Sequence, residues 1–255
     1  MNFIDTHCHL YSEEFDTDLD NVLQRASNFG ITKCYLPAID STSTDRMISV
    51  EARFPGTCIA MMGLHPCSVN ERFEVELAHV ATWLTKRKFA AIGEIGLDFY
   101  WDKTFTSQQQ HVFNIQMEWA LEYDLPIVIH TRNAMQETIN AVKKFVPKGI
   151  RGIFHCFSGS YESAVEIIKC GFFLGIGGVI TYKNAGVAEV LEQIDLQHMV
   201  LETDAPYLTP VPFRGKRNES SYIEHIVNKL ASIKRCSSED ISEITTLNAQ
   251  KIFGL

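Results

Sequence analysis

Little in this chain points to a membrane, a disulfide framework or a nucleic-acid-coating surface. No apolar stretch approaches the ~20 residues of a bilayer span, so no membrane partner is expected. The N-terminus enters a strand-like segment directly, without the basic and apolar parts of a secretory signal, and a cytoplasmic location is the expectation. The seven cysteines (8, 34, 58, 67, 156, 170 and 236) are odd in number, dispersed and without a C-x-x-C pair. That spacing argues against both a disulfide framework and a thiolate zinc site, leaving reduced, mostly buried thiols. A basic excess is absent too: 23 Lys and Arg stand against 31 Asp and Glu, for a net charge of −8. Global attraction to nucleic acid normally shows as a basic excess, so a phosphate-bearing substrate would have to be attracted locally. Linkers, low-complexity stretches and domain breaks are also missing.

What is present is a repeat of short apolar, β-rich runs. They are Phe3–Asp5, Thr32–Ala38, Thr57–Gly63, Ala90–Gly96, Pro126–His130, Gly152–Phe157, Phe172–Gly177 and Met199–Glu202. Segments of helical periodicity lie between them, such as Leu19-Val22-Leu23-Ala26 and Ile139-Val142-Phe145-Val146. The runs recur roughly every 28 residues, as eight βα units in ~250 residues demand. The expected fold is therefore α/β, a (β/α)8 TIM barrel forming a single domain over residues 1–255. Residues 220–255 read as one or two amphipathic helices closing the barrel, and Ser237-Ser238-Glu239-Asp240 has the composition of a helix start.

Six residues able to hold metal close or follow these runs: His7, His9, Glu94, His130, His155 and Asp204. In a barrel of this type the chemistry sits at the C-terminal ends of the strands, where all six fall. Strand alternation puts His7 and His9 on one face and turns Cys8 and Cys156 outward, against the helices. An H-x-H pair can converge on one ion, with Asp204 returning to it. His130 and His155 can hold a second, and the Glu94 carboxylate can bridge both. Two divalent cations ~3.5–4 Å apart would clamp a bridging water and lower its pKa. Asp204 is the candidate general base. Nitrogen-rich ligation suits zinc, manganese, cobalt or iron, and a bridging carboxylate leaves magnesium open.

Other positions carry two readings each. His65 in G-L-H-P can touch substrate or the bridging water, or simply build a turn. Arg132 suits bidentate phosphate binding, against a surface ion pair. Glu202 can hydrogen-bond a ligand histidine or form a barrel-interior salt bridge. Lys216 and Arg217 can reach phosphate from a loop or form a solvated basic turn. Gly175-Ile176-Gly177-Gly178 lacks the full phosphate-loop fingerprint and reads as a tight strand end. Phe99, Tyr100 and Trp101 can stack on a base or form an apolar lip.

Taken in order, F-I-D-T-H-C-H-L, G-L-H-P, G-E-I-G-L-D-F, P-I-V-I-H-T-R, F-H-C-F-S-G, L-E-T-D-A-P-Y-L, R-G-K-R-N-E and T-T-L-N-A span the whole chain. The chain thereby resembles the TatD-type deoxyribonucleases, metal-dependent hydrolases of the amidohydrolase-like superfamily. That resemblance implies metal-dependent DNase action on single-stranded ends, with two divalent ions (Mg, Mn, Zn or Co) and no obligate protein partner. By position, His7, His9, Glu94 and Asp204 resemble the ligands of one metal, and Glu94, His130 and His155 those of the other. His65 and Glu202 match further active-site positions. Two residues depart from the family pattern: Ser220 replaces the usual proline, and Asn133 the common aspartate.

Two competing functions remain at this level. A hydrolase of small esters, lactones or amides could use the same metal site, although many such relatives bridge their metals with a carboxylated lysine at strand four, where this chain has Glu94. A metal-retaining binding scaffold is the non-enzymatic alternative.

Overall fold

The computed structural model describes residues 1–254. Its eight strands are β1 (Phe3–Asp5), β2 (Ile31–Leu36), β3 (Cys58–Ala60), β4 (Ile92–Asp98), β5 (Ile127–Arg132), β6 (Gly152–Phe154), β7 (Phe173–Ile176) and β8 (Met199–Leu201). The helices are α1 (Leu19–Phe29), α2 (Ser41–Arg53), α3 (Phe73–Lys86), α4 (Thr106–Glu122), α5 (Met135–Lys143), α6 (Tyr161–Lys169), α7 (Val187–Glu192), α8 (Ile223–Lys234) and α9 (Ser238–Phe253). All strand pairs are parallel, in the orders β1-β2-β3 and β4-β5-β6-β7-β8. Two seams join these arcs into a barrel. A bridge pairs Met62 with Ile92, and the Thr6 N–H donates to the Leu201 carbonyl at 3.0 Å. The expected barrel is the observed one.

Local sequence explains the elements. In α1 the buried residues Leu19, Val22, Leu23 and Ala26 recur at the three- and four-residue spacing of one helical face. That helix ends at Gly30, whose φ of +99° is a left-handed conformation open to glycine without steric cost. In α9, Ser237 and Asp240 form a reciprocal capping box, so the polar quartet is indeed a helix start. The C-terminal segment forms two helices, and α9 has a further role. Its Ala249, Ile252 and Phe253 pack against Ile4, Tyr35, Val128, Ile153 and Val200, with the Phe253 and Tyr35 rings stacked at 3.7 Å. This apolar plug fills the barrel from the end opposite the candidate ligands.

Two strands run longer than the apolar pattern suggests. Glu94 is the third residue of β4 and His130 the fourth of β5, so neither closes its strand. The β4–β5 register shifts between Gly93 and Ile95, leaving Glu94 as an extra residue in the ladder. Bulges of this kind re-aim a side chain, and here the side chain is the carboxylate expected to bridge.

Candidate metal centre

Hydrogen bonds across the β1–β8 seam assemble one half of the site. Asp5 accepts from the Thr203 N–H at 3.0 Å and the Thr203 hydroxyl at 2.7 Å. The Asp204 N–H donates to the His7 carbonyl at 2.9 Å, and the His9 N–H to the Ala205 carbonyl at 2.6 Å. Because β1 has already ended at Asp5, His7 and His9 sit in irregular chain, yet their Nε2 atoms lie 3.3 Å apart. Convergence comes from the seam and not from strand alternation. Asp204 takes a φ of +59°, which Asp tolerates better than most residues.

The geometry centres on Glu94, which is 3% exposed. Its Oε2 lies 3.2 Å from His7 Nε2 and 3.8 Å from His9 Nε2. Asp204 Oδ1 faces the same two nitrogens at 3.6 and 3.4 Å. The other carboxylate oxygen, Oε1, lies 2.9 Å from His130 Nδ1, 3.0 Å from His155 Nε2 and 3.4 Å from His65 Nε2. All six predicted ligands therefore meet, and His65 joins them.

Proton counting separates ligands from donors. Tyr11 donates its single hydroxyl proton to the Pro37 carbonyl at 2.6 Å, so its oxygen accepts from His9 Nδ1 at 2.9 Å. His9 thus turns an Nε2 lone pair toward the cluster. His65 is the opposite case: its Nδ1 accepts from the Cys67 N–H at 3.0 Å, placing the proton on Nε2. Burial lowers the His65 pKa and keeps the ring neutral, so it faces Glu94 as a donor and not as a ligand.

Electrostatics fit a bound cation. Burial opposes ionisation of Glu94, but His155, His65 and His7 outweigh it and hold the carboxyl well below its ordinary range. Asp204 is likewise buried, yet the neighbouring His9, His155 and His7 imidazoles lower its pKa. Two carboxylates and at least one imidazole lone pair thus converge in a dry space, a donor set of nitrogen and oxygen that divalent transition ions accept. His7, His9, Glu94 and Asp204 can hold one ion, and Glu94, His130 and His155 a second.

An outer ring of residues orients these groups. Glu202 Oε1 lies 3.3 Å from His155 Nδ1 and accepts from the Cys156 N–H. The carboxylate fits only because Gly175 lacks a side chain: a Cβ there would stand 2.2 Å from Glu202 Oε2. Gly175 is therefore room for Glu202, while Gly177 and Gly178 lead from the end of β7 straight into a short helical turn, as a tight strand end requires. Asp98 was missed from the sequence. Its Oδ2 meets His130 Nε2 at 2.9 Å, while Oδ1 accepts from the Tyr100 and Trp101 N–H groups at 2.9 and 3.1 Å. Strand alternation offered the signal, since Asp98 shares the inward face of β4 with Glu94 while Ile95 and Leu97 pack outward. Asp5 carried no comparable signal.

Several expectations change. Cys156 does not pack outward, because β6 ends at Phe154 and Cys156 adopts a φ of +48°. Burial, then the Asp204 and Glu202 charges, push its thiol pKa well up. Arg217 forks onto Asp18 at 2.7 and 2.8 Å and covers the Phe15 ring, so it is a structural clamp with no free charge for phosphate. Lys216 remains exposed, its Nζ 5.7 Å from the Phe213 ring. Arg132 lies over Tyr100 and Trp101 and has no carboxylate partner among the described residues. Ser220 is a buried contact of Cys34, and Asn133 holds a φ of +53° that asparagine tolerates.

Comparison with known proteins agrees with this geometry. The family model for TatD related DNase matches residues 4–254. The metal-dependent hydrolase YabD of Bacillus subtilis, whose own function is uncharacterized, is 38% identical over 98% of both chains. The 3′-5′ ssDNA/RNA exonuclease TatD of Erwinia tasmaniensis is 30% identical, covering 98% of this chain and 99% of its own length. The crystal structure of YjjV, a TatD homolog from Escherichia coli, superposes with a TM-score of 0.93 at 30% identity, covering 99% and 98% of the two chains.

Proposed function

The chain belongs to the TatD-related DNase family and is a metal-dependent hydrolase, and we propose that it cleaves phosphodiester bonds of DNA, trimming single strands from an end with two divalent cations. The observation that carries this reading is the division of Glu94 between two ligand sets, Oε2 toward His7 and His9, whose nitrogens Asp204 Oδ1 also faces, and Oε1 toward His130 and His155. One carboxylate facing two donor groups can hold a pair of cations close enough to act together on one phosphate. When bound, the cations supply Lewis acidity toward a water and neutralise the scissile phosphate.

The protein's own groups do the rest. Water adds to phosphorus as the bond to the sugar oxygen breaks; the water proton passes to the Asp204 carboxylate, which returns it to the departing sugar oxygen. His65 Nε2–H donates toward the charge that develops at the centre. Glu202 and Asp98 keep the His155 and His130 rings in place, and the apolar barrel beneath excludes bulk water. Seven free cysteines suit a reducing compartment, in line with the cytoplasm. No described helix is long and apolar enough to cross a membrane.

Metal-loaded protein incubated with end-labelled single-stranded DNA tests the reading. Progressive shortening is expected, with loss of activity in Glu94→Gln while circular dichroism still reports the barrel. Turnover of lactones or amides with no action on DNA would overturn it.

A further inference from the structure

In this acidic chain arginine charge is usually neutralised. Seven of the ten arginines pair with a carboxylate. The other three, Arg72, Arg132 and Arg214, have no carboxylate partner among the described residues, and all three close or follow a strand at the metal-centre end. Two of them lie on the face of a tyrosine. The Arg132 guanidinium is 3.8 Å from the Tyr100 ring centroid, and the Arg214 guanidinium 4.1 Å from that of Tyr182.

Each pair is fixed to the catalytic end by its own contacts. Asp98 ties the Tyr100–Trp101 backbone to His130, so the first pair cannot drift from the cluster. Tyr100 is 50% and Trp101 69% exposed, offering free π-faces. The second pair joins the loop after β7, which carries Tyr182, to the Asp204-bearing loop after β8, which carries Arg214. The Tyr182 hydroxyl donates to the Thr209 carbonyl at 3.0 Å and the Val211 N–H to the Thr181 hydroxyl at 2.9 Å. A cavity of about 460 Å³ opens there, lined by Tyr182, Lys183, Val211 and Arg214 among others.

We propose that these two pairs are nucleotide-binding subsites that clamp one unpaired strand across the metal centre. The strand order supports the placement: one pair belongs to β4 and β5, the other to β7 and β8, and β6, which leads into His155, lies between them. A stacked guanidinium keeps its in-plane N–H groups free for phosphate while an adjacent ring takes a base. A small ester would fill one such point and leave the other without purpose. Bases held in a duplex cannot reach these rings, so the clamp selects single strands. This inference rests on the nuclease reading of the site.

Fluorescence anisotropy of a fluorescein-labelled, phosphorothioate-linked tetrathymidylate with metal-loaded protein tests it. Trp101→Ala and Arg214→Ala should each weaken binding about five- to a hundredfold, the range that base–aromatic and phosphate contacts supply. Tyr182→Phe, which keeps the ring, should bind nearly as wild type, and the hybridised duplex should bind more weakly than the single strand. Arg151→Ala, at the opposite end of the barrel, should change nothing. Unaltered affinity in both loop variants, an equal loss in Arg151→Ala, or no binding by the wild type would each overturn the clamp. Cleavage is scored separately: binding without strand cleavage refutes the nuclease and spares the clamp, while cleavage with indifferent variants does the reverse.

Discussion

The Tyr11 hydroxyl stands 2.6 Å from the Pro37 carbonyl and 2.9 Å from His9 Nδ1, and so fixes which nitrogen of His9 faces Glu94. Removing that hydroxyl frees the ring to rotate or change tautomer. Tyr11→Phe should therefore weaken one of the two bound ions about tenfold, as loss of such outer partners does. Chelator competition measures this; unchanged affinity for both ions would show that His9 needs no such partner.

Gly175 and Glu202 compete for the same space. A methyl at residue 175 would push the carboxylate away from His155 and the Cys156 N–H. Gly175→Ala should lower metal affinity about 10–100-fold, the usual cost of disturbing a ligand's orienting partner. Its far-ultraviolet circular dichroism should stay that of the barrel. Full metal affinity in this variant would mean that Glu202 does not orient His155.

Metal binding should release protons. Burial disfavours a charged His155, but Glu94 and Glu202 outweigh it and raise the pKa well above the ordinary histidine value. His130 is likewise raised, by Asp98 and Glu94 against burial. The metal-free protein holds protons that a ligating nitrogen must give up, so metal affinity should climb as pH rises past the ordinary histidine value and through the raised folded pKa values. Without metal the stability linkage has the opposite slope. The raised imidazoles contribute fully below the unfolded value near 6.5, and that contribution is lost as pH rises through their folded pKa values. Calorimetric titrations in two buffers of different ionisation enthalpy read the released protons; identical heats in both would count against it.

The plug at the barrel floor predicts a change in stability alone. Ile252 is 5% exposed among Ile4, Tyr35 and Val200. Ile252→Ala should cost about 2–5 kcal/mol in denaturant unfolding, the range for deleting a buried aliphatic group. Metal stoichiometry should stay intact below the transition, because the plug lies at the end away from the ligands. Loss of metal from folded protein would tie the floor to the site.

Much of this architecture was legible in the amino-acid order. The eight apolar runs became eight strands because parallel strands buried on both faces must be apolar, and His7, His9, Glu94, His130, His155 and Asp204 converge as the barrel ends require. Details of aim were not legible. Strand alternation, carried past the Phe3–Asp5 run, could not show that His7 and His9 lie in irregular chain, or that Glu94 occupies a bulge, since both depend on pairing between distant strands. Arg217 looked free because Asp18, about 200 residues away, is invisible as its partner in sequence. Asp98 was readable from its parity with Glu94, whereas the Asp5–Thr203 contact exists only once β1 and β8 meet.

The sharing of Glu94 between two cations is tested most directly by anomalous diffraction from a manganese-loaded crystal. Two peaks are expected, one in contact with Glu94 Oε2, His7, His9 and Asp204, the other with Glu94 Oε1, His130 and His155. A single peak touching one carboxylate oxygen, or peaks that leave Glu94 without contact, would contradict the account.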